Sequence, residues 1–218
     1  MYGYVTLGTA AVSRRQMAGV WFAAAAVPER GLLARYRRRF VWRRLHRWGV
    51  RRCVLPEVLE TEAARWGIFP VEVQRLRQAL LPQLLDRQGD LRRKTAALRA
   101  EHVTAAVVEA AAVLARRVRY LSLEIGSGGE ELERLLWERF GLTACGVGQA
   151  AVTVSFGGAP SGSTICLGED CRRYQKLTYR LTAGEPGEEL PEQLLAVLFE
   201  AGEIKKEQIR VKTIESNA

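Results

Sequence analysis

Apolar residues recur at intervals of three and four over residues 30–48, at Leu33, Tyr36, Phe40, Val41, Leu45 and Trp48. This spacing predicts an amphipathic helix with Gly49 as its C-cap. Ahead of it, residues 17–27 form an unbroken apolar run around Val20-Trp21-Phe22-Ala23-Ala24-Ala25, the signature of a buried parallel strand or a helix. Residues 52–55 read as a short strand closed by Pro56-Glu57. Residues 57–66 and 70–87 predict helices, with a break at Gly67-Ile68-Phe69-Pro70. A strand is expected at 95–100 and an Ala- and Val-rich helix at 102–117. A second strand at 119–125 passes through Gly126, Ser127, Gly128 and Gly129 into a helix at 130–140 that Gly141 ends. Residues 151–156 continue the strand pattern.

Strand and helix patterns thus alternate from about residue 15 to 157, with connections long enough for crossovers. The fold class this predicts is α/β: a Rossmann-like, mostly parallel sheet with helices on both faces. Beyond residue 157 the rhythm changes. Residues 157–162 read as a flexible turn, 164–167 and 177–181 as the two strands of a hairpin, 190–201 as a helix and 209–214 as a final strand. The expected organisation is one α/β domain over 1–157, with a small α+β extension over 158–218 packed on it.

Composition supports a folded chain, with 48% apolar and 26% charged residues among 218. Cys53, Cys145, Cys166 and Cys171 lack zinc-ligand spacing and read as reduced thiols, so a cytoplasmic protein is expected. Arg14-Arg15 before the apolar run resembles a twin-arginine export signal. Against that reading, the run is short and leads into an Arg-dense segment that hinders translocation. No stretch reaches the ~18 apolar residues of a membrane span, so no membrane partner is expected. Charge is asymmetric: residues 1–119 hold 23 Lys and Arg against 9 Asp and Glu, while 120–218 hold 10 against 15. A basic first half attracts a polyanion or an acidic protein surface.

Two constellations carry candidate chemistry. Parallel strands of an α/β sheet bind ligands at their carboxyl ends, and Glu57, Glu101 and His102 follow predicted strands. The sequence Leu123-Glu124-Ile125-Gly126-Ser127-Gly128-Gly129 resembles the first motif of S-adenosylmethionine-dependent methyltransferases, an acid and a hydrophobe before G-x-G at a strand-to-helix turn. It departs from that pattern in placing Glu130 at the third glycine and in lacking an acid after the next strand, 145–149. The dinucleotide pattern G-x-G-x-x-G fails at Glu131. The crevice candidates are therefore Glu57, Glu101, His102, Glu124, Gly126, Ser127, Gly128 and Gly129. A Gly-rich turn into a well-capped helix, and helix-start acids that favour the dipole, explain the same residues without a ligand. The spacing assigns no metal site and no cofactor.

The second constellation is the basic helix, where nine of residues 35–52 are Arg. With Tyr36, Phe40, Val41 and Leu45 assigned to the apolar face, Arg35, Arg38, Arg39, Trp42, Arg43 and His46 become the polyanion-binding candidates. Trp42 would then stack between guanidiniums. A solvated Arg-rich helix is the alternative. Two functions follow: a binding or regulatory protein using this helix on nucleic acid or an acidic protein, or a small-molecule enzyme or sensor using the strand-end crevice for a nucleotide or S-adenosylmethionine-like ligand.

Four short pieces are similar to a family of clostridial Firmicutes α/β proteins. They are Arg52-Cys53-Val54-Leu55-Pro56-Glu57, Leu98-Arg99-Ala100-Glu101-His102-Val103-Thr104, Gly128-Gly129-Glu130-Glu131-Leu132 and Cys166-Leu167-Gly168-Glu169-Asp170. The resemblance implies a bacterial cytoplasmic protein. It brings no activity and no catalytic residue.

Overall fold

The computed structural model describes residues 1–146, 150–157, 163–169, 171–182 and 190–216. The chain begins with β1 (Tyr2–Leu7), β2 (Ala11–Met17), β3 (Val20–Val27), α1 (Ala34–Arg47) and β4 (Arg52–Val54). A single 3-10 turn (Glu57–Leu59) leads into α2 (Glu60–Ala64), β5 (Phe69–Pro70) and α3 (Gln74–Asp86). Then follow β6 (Thr95–His102), α4 (Ala105–Ala115), β7 (Tyr120–Ser127), α5 (Gly129–Phe140), β8 (Val152–Ser155) and β9 (Thr164–Cys166). The chain closes with α6 (Cys171–Tyr174), β10 (Gln175–Leu181), α7 (Glu192–Glu200) and β11 (Ile209–Ser216).

The α/β class and the mostly parallel sheets flanked by helices agree with the sequence. The strands are divided, however, between two compact units, residues 1–73 with 190–208 and residues 74–189 with 209–218. One junction between these units falls at 73/74, and the last part of the chain contributes to both: α7 belongs to the first unit, β11 to the second.

The first unit holds a five-stranded sheet in the order β2-β3-β1-β4-β5. All its pairings are parallel except that of β2 with β3. The apolar run of the N-terminal region is β3, an interior strand with Phe22, Ala23 and Val27 fully buried. Strand β1, which the pattern did not predict, lies between β3 and β4. At its Gly3 a Cβ would meet Cys53 Sγ at 2.6 Å and Val50 Cγ1 at 2.9 Å. The glycine permits close packing and weakens the strand signal at the same time. The core of this unit joins Val5, Ala25 and Leu55 of the sheet region to Val41, Trp42 and Leu45 of α1. Burying each of these Val and Leu side chains contributes about 1.5–3 kcal/mol.

The second unit holds a parallel sheet in the order β7-β6-β8-β9 and a separate antiparallel pair, β10 with β11. The hairpin expected from 164–167 and 177–181 is therefore corrected: β9 extends the parallel sheet, and β10 pairs with the last strand instead. Two short apolar runs a dozen residues apart look like hairpin arms, but β9 is buried throughout, as a parallel strand is. Part of the turn expected at 157–162 and of the strand expected at 145–149, and Asp170, lie outside the described residues. No helix among the described residues is long and apolar enough to cross a membrane.

Candidate functional site

Strand β6 continues through α4 to β7 on one side of it, whereas β8, its neighbour on the other side, continues to β9. Adjacent parallel strands whose connections depart in opposite directions leave a gap at their carboxyl ends, the topological switch point where open α/β sheets bind ligands. A crevice of about 600 Å³ lies there, within the 300–1,000 Å³ or so of small-molecule sites.

Each wall has an identifiable origin. Strand β6 ends in Ala100, Glu101 and His102, and β8 is followed by Phe156 and Gly157. Thr104 caps α4, its hydroxyl accepting from the Val107 N–H at 3.3 Å. Chain extension after β9 brings in Gly168 and Glu169, while Gln74 and Gln78 reach in from the first turns of α3. Tyr174 comes from α6. His102 is thus the last residue of a strand rather than the start of a helix, because Thr104 supplies the cap two residues later.

The wall formed by β9, α6 and the start of β10 is held by two buried polar side chains. Arg77 of α3, fully buried, donates from Nη2 to the Gln175 carbonyl at 2.7 Å and from Nη1 to those of Cys171 at 3.1 Å and Cys166 at 3.4 Å. Gln175 donates to the Thr164 carbonyl at 2.9 Å and accepts from the Cys166 N–H at 3.2 Å. A guanidinium spread over three carbonyls satisfies acceptors that burial would otherwise leave unpaired. Burial raises the Cys166 thiol above its ordinary range against the opposing pull of Arg77, so at neutral pH it is a protonated wall group rather than a nucleophile.

Electrostatically the lining is distinctive. Among the described residues it contains the carboxylates of Glu101 and Glu169, the imidazole of His102 and no Lys or Arg, in a chain of net charge +9. Amides, hydroxyls and the rings of Phe156 and Tyr174 complete it.

The sequence-predicted crevice residues separate into three groups. Glu101 and His102 line the crevice. Glu124 and Ser127 stand on β7 opposite β6 residues and are engaged there: Glu124 Oε2 accepts from Nε and Nη2 of Arg99, both at 2.7 Å, and Ser127 Oγ lies 2.8 Å from His102 Nδ1. Glu57 belongs to the first unit, where it opens the 3-10 turn after β4. Gly126, Gly128 and Gly129 are absent from the crevice lining. A Cβ on Gly126 would meet the Glu101 carbonyl at 2.8 Å, and Gly128 takes a left-handed φ of 80° at the start of α5. Packing and helix entry account for these glycines. Among the described residues no group of three or more His, Cys, Asp or Glu side chains is placed to hold a metal ion.

Sequence reasoning missed Gln74, Gln78, Glu169 and Tyr174. The strand-then-Thr104 cap was readable. The rest depends on β9 lying beside β8, which the hairpin expectation concealed.

Helix α1 also differs from expectation: Val41 and Leu45 are buried as expected, but the inward face includes Trp42 in place of Tyr36 and Phe40. Trp42 is fully buried and Arg38 is docked, donating to the Pro28 and Glu29 carbonyls at 2.7 and 2.8 Å and to Glu62 Oε2 at 3.1 Å. Tyr36 and Phe40, expected inside, are 75% and 58% exposed. Arg35, Arg39, Arg43 and His46 do face solvent. No protein-family model and no curated protein matches this sequence.

Proposed function

We propose that this protein binds a small polar organic molecule, uncharged or cationic and about the size of a nucleoside, in the crevice between the carboxyl ends of β6 and β8. The observation that carries this reading is the coincidence of a crevice with the switch point of the second sheet. Its chemistry sets the ligand class. Two carboxylates accept from hydroxyls or an ammonium group, Gln74 and Gln78 read amide-like edges, and Phe156 and Tyr174 offer apolar or cation-facing rings. A phosphate ester would bring its charge towards Glu101 and Glu169, with no Lys or Arg among the described lining residues to offset it. S-adenosylmethionine, whose sulfonium is cationic, remains within the class, held by the crevice rather than by the Gly126 turn. The hydrogen-bonded pair of His102 and Ser127 beside it supplies a proton donor and acceptor.

Thermal unfolding tests this directly. Adenosine, S-adenosylmethionine and spermidine are compared with ATP, on wild type and on Ala106→Trp, which fills the crevice from α4. A ligand at 100 times its Kd adds about 2.7 kcal/mol, or about 5–10 °C for a chain of this size. The expected result is such a shift from a non-phosphorylated member, absent in Ala106→Trp. Stabilisation by ATP alone, or equal stabilisation of both proteins, contradicts the proposal.

A further inference from the structure

The solvent face of α1 lies apart from the crevice in the chain and belongs to the first unit. Between residues 30 and 56 the sequence has ten Arg and no Asp or Glu. A helix that merely needs solvation intersperses acids at i, i+4, which stabilises it; α1 has none. With Val41, Trp42, Leu45 and the docked Arg38 turned inward, helical geometry puts Tyr36, Phe40, Arg43 and Arg47 on one outward line at i, i+4, i+7 and i+11. That line is about 16 Å long at 1.5 Å per residue. Arg35, Arg39 and Arg37 flank it, all exposed. Among the described residues none of Arg35, Arg37, Arg39, Arg43 and Arg47 has a carboxylate within 4.0 Å. Arg44 is occupied: with Arg14 of β2 it brackets the Trp48 ring, at 5.1 and 5.4 Å from the centroid.

We infer that this face binds single-stranded nucleic acid. Charge complementarity identifies a polyanion, and the two rings decide its kind. Tyr36 and Phe40 stand one turn apart among guanidiniums, the arrangement that lets successive bases stack while the backbone lies along positive charge. A duplex hides its base faces and would leave both rings unused. A stretch of carboxylates, as in polyglutamate, pairs with the guanidiniums but offers no ring face to Tyr36 and Phe40. A membrane surface requires an uninterrupted apolar line, and Arg43 and Arg47 break this one.

The test is fluorescence anisotropy of the full-length protein with a labelled 20-nucleotide oligo(dT) strand, its duplex with oligo(dA), and polyglutamate, at rising salt. The prediction is preference for the single strand and an affinity falling with salt. The slope should drop by about 0.7 for each of Arg39→Ala and Arg43→Ala. Tyr36→Ala and Phe40→Ala should each weaken binding about tenfold, as loss of one stacked base does. All four positions are exposed, and unchanged melting temperatures would establish that the variants are folded. Tyr36→Phe retains the ring and should retain binding. Equal affinity for duplex or polyglutamate overturns the inference, as does indifference to the loss of both rings or sedimentation with phosphatidylserine vesicles in place of oligonucleotide binding.

Discussion

Glu57, just after β4, and Glu101, near the end of β6, stand at the carboxyl ends of parallel strands in different sheets, and their surroundings diverge. In the first unit, Gln193 of α7 fits against the end of β4. Its Oε1 accepts from the Leu55 N–H at 2.8 Å and its Nε2 donates to the Leu55 carbonyl at 3.3 Å, the side chain being 5% exposed. In the second unit the end of β6 opens on a crevice of about 600 Å³. A buried amide that satisfies both polar groups of one backbone residue does what a ligand would otherwise do. The comparison teaches that a strand-end acid marks a site only where nothing from the chain itself fills the space beside it. The segment that fills the first end arrives more than a hundred residues later in sequence.

Removing the support of the open end should have the largest effect. Arg77→Ala leaves the carbonyls of Cys166, Cys171 and Gln175 without this buried donor and should destabilise the protein by about 3–5 kcal/mol. Chemical denaturation gives that loss, and any ligand-induced stabilisation should vanish with it. A loss below 1 kcal/mol would break the assignment of Arg77 as the wall's support. Gln193→Ala acts on the filled end, exposing an unmet N–H and carbonyl at Leu55, and should cost about 1–3 kcal/mol. Ligand stabilisation should survive it, and its disappearance would dissolve the contrast between the two ends.

The buried thiols sharpen the comparison under alkaline conditions. Burial raises Cys53 of β4 far above its ordinary 9.0, so the folded protein keeps a proton that the unfolded chain loses. Its contribution is therefore complete below pH 9 and declines as pH rises beyond it. Melts between pH 8 and 10.5 should fall less steeply for Cys53→Ala than for wild type, with Cys166→Ala showing the smaller change. The smallest effect belongs to Glu101→Gln: on an exposed strand end it should alter stability by less than about 0.5 kcal/mol. It should nevertheless reduce stabilisation by a cationic ligand.

Much of the fold was legible because its signals are local. The end of α1 ahead of the left-handed Gly49, the β7-to-α5 turn with its left-handed Gly128, and the Gly141 stop all follow from spacing and backbone preference, whereas α1 starts at Ala34 rather than near residue 30. What escaped depends on partners distant in sequence. Gly3 disguised β1, since its reason for being glycine is Cys53, fifty residues away. The inward face of α1 was misjudged at Tyr36, Arg38, Phe40 and Trp42 because arginine and aromatic residues are each at home inside or outside: Arg38 is held by backbone carbonyls, while Phe40 is left in water. Of the residues lining the crevice, Glu101 and His102 were expected from their place at a strand end. Gln74, Gln78 and Tyr174 could not be, because only the sheet order brings α3, α6 and β6 around one space.

The most direct measurement is a backbone NMR titration of the isotope-labelled protein with whichever of adenosine, S-adenosylmethionine or spermidine stabilises it most. Shifts should concentrate at Ala100, Glu101, His102, Thr104, Gly157 and Gly168, around the switch point. Shifts confined to Gly126, Ser127, Gly128 and Gly129, or to the outward face of α1, would contradict the proposal.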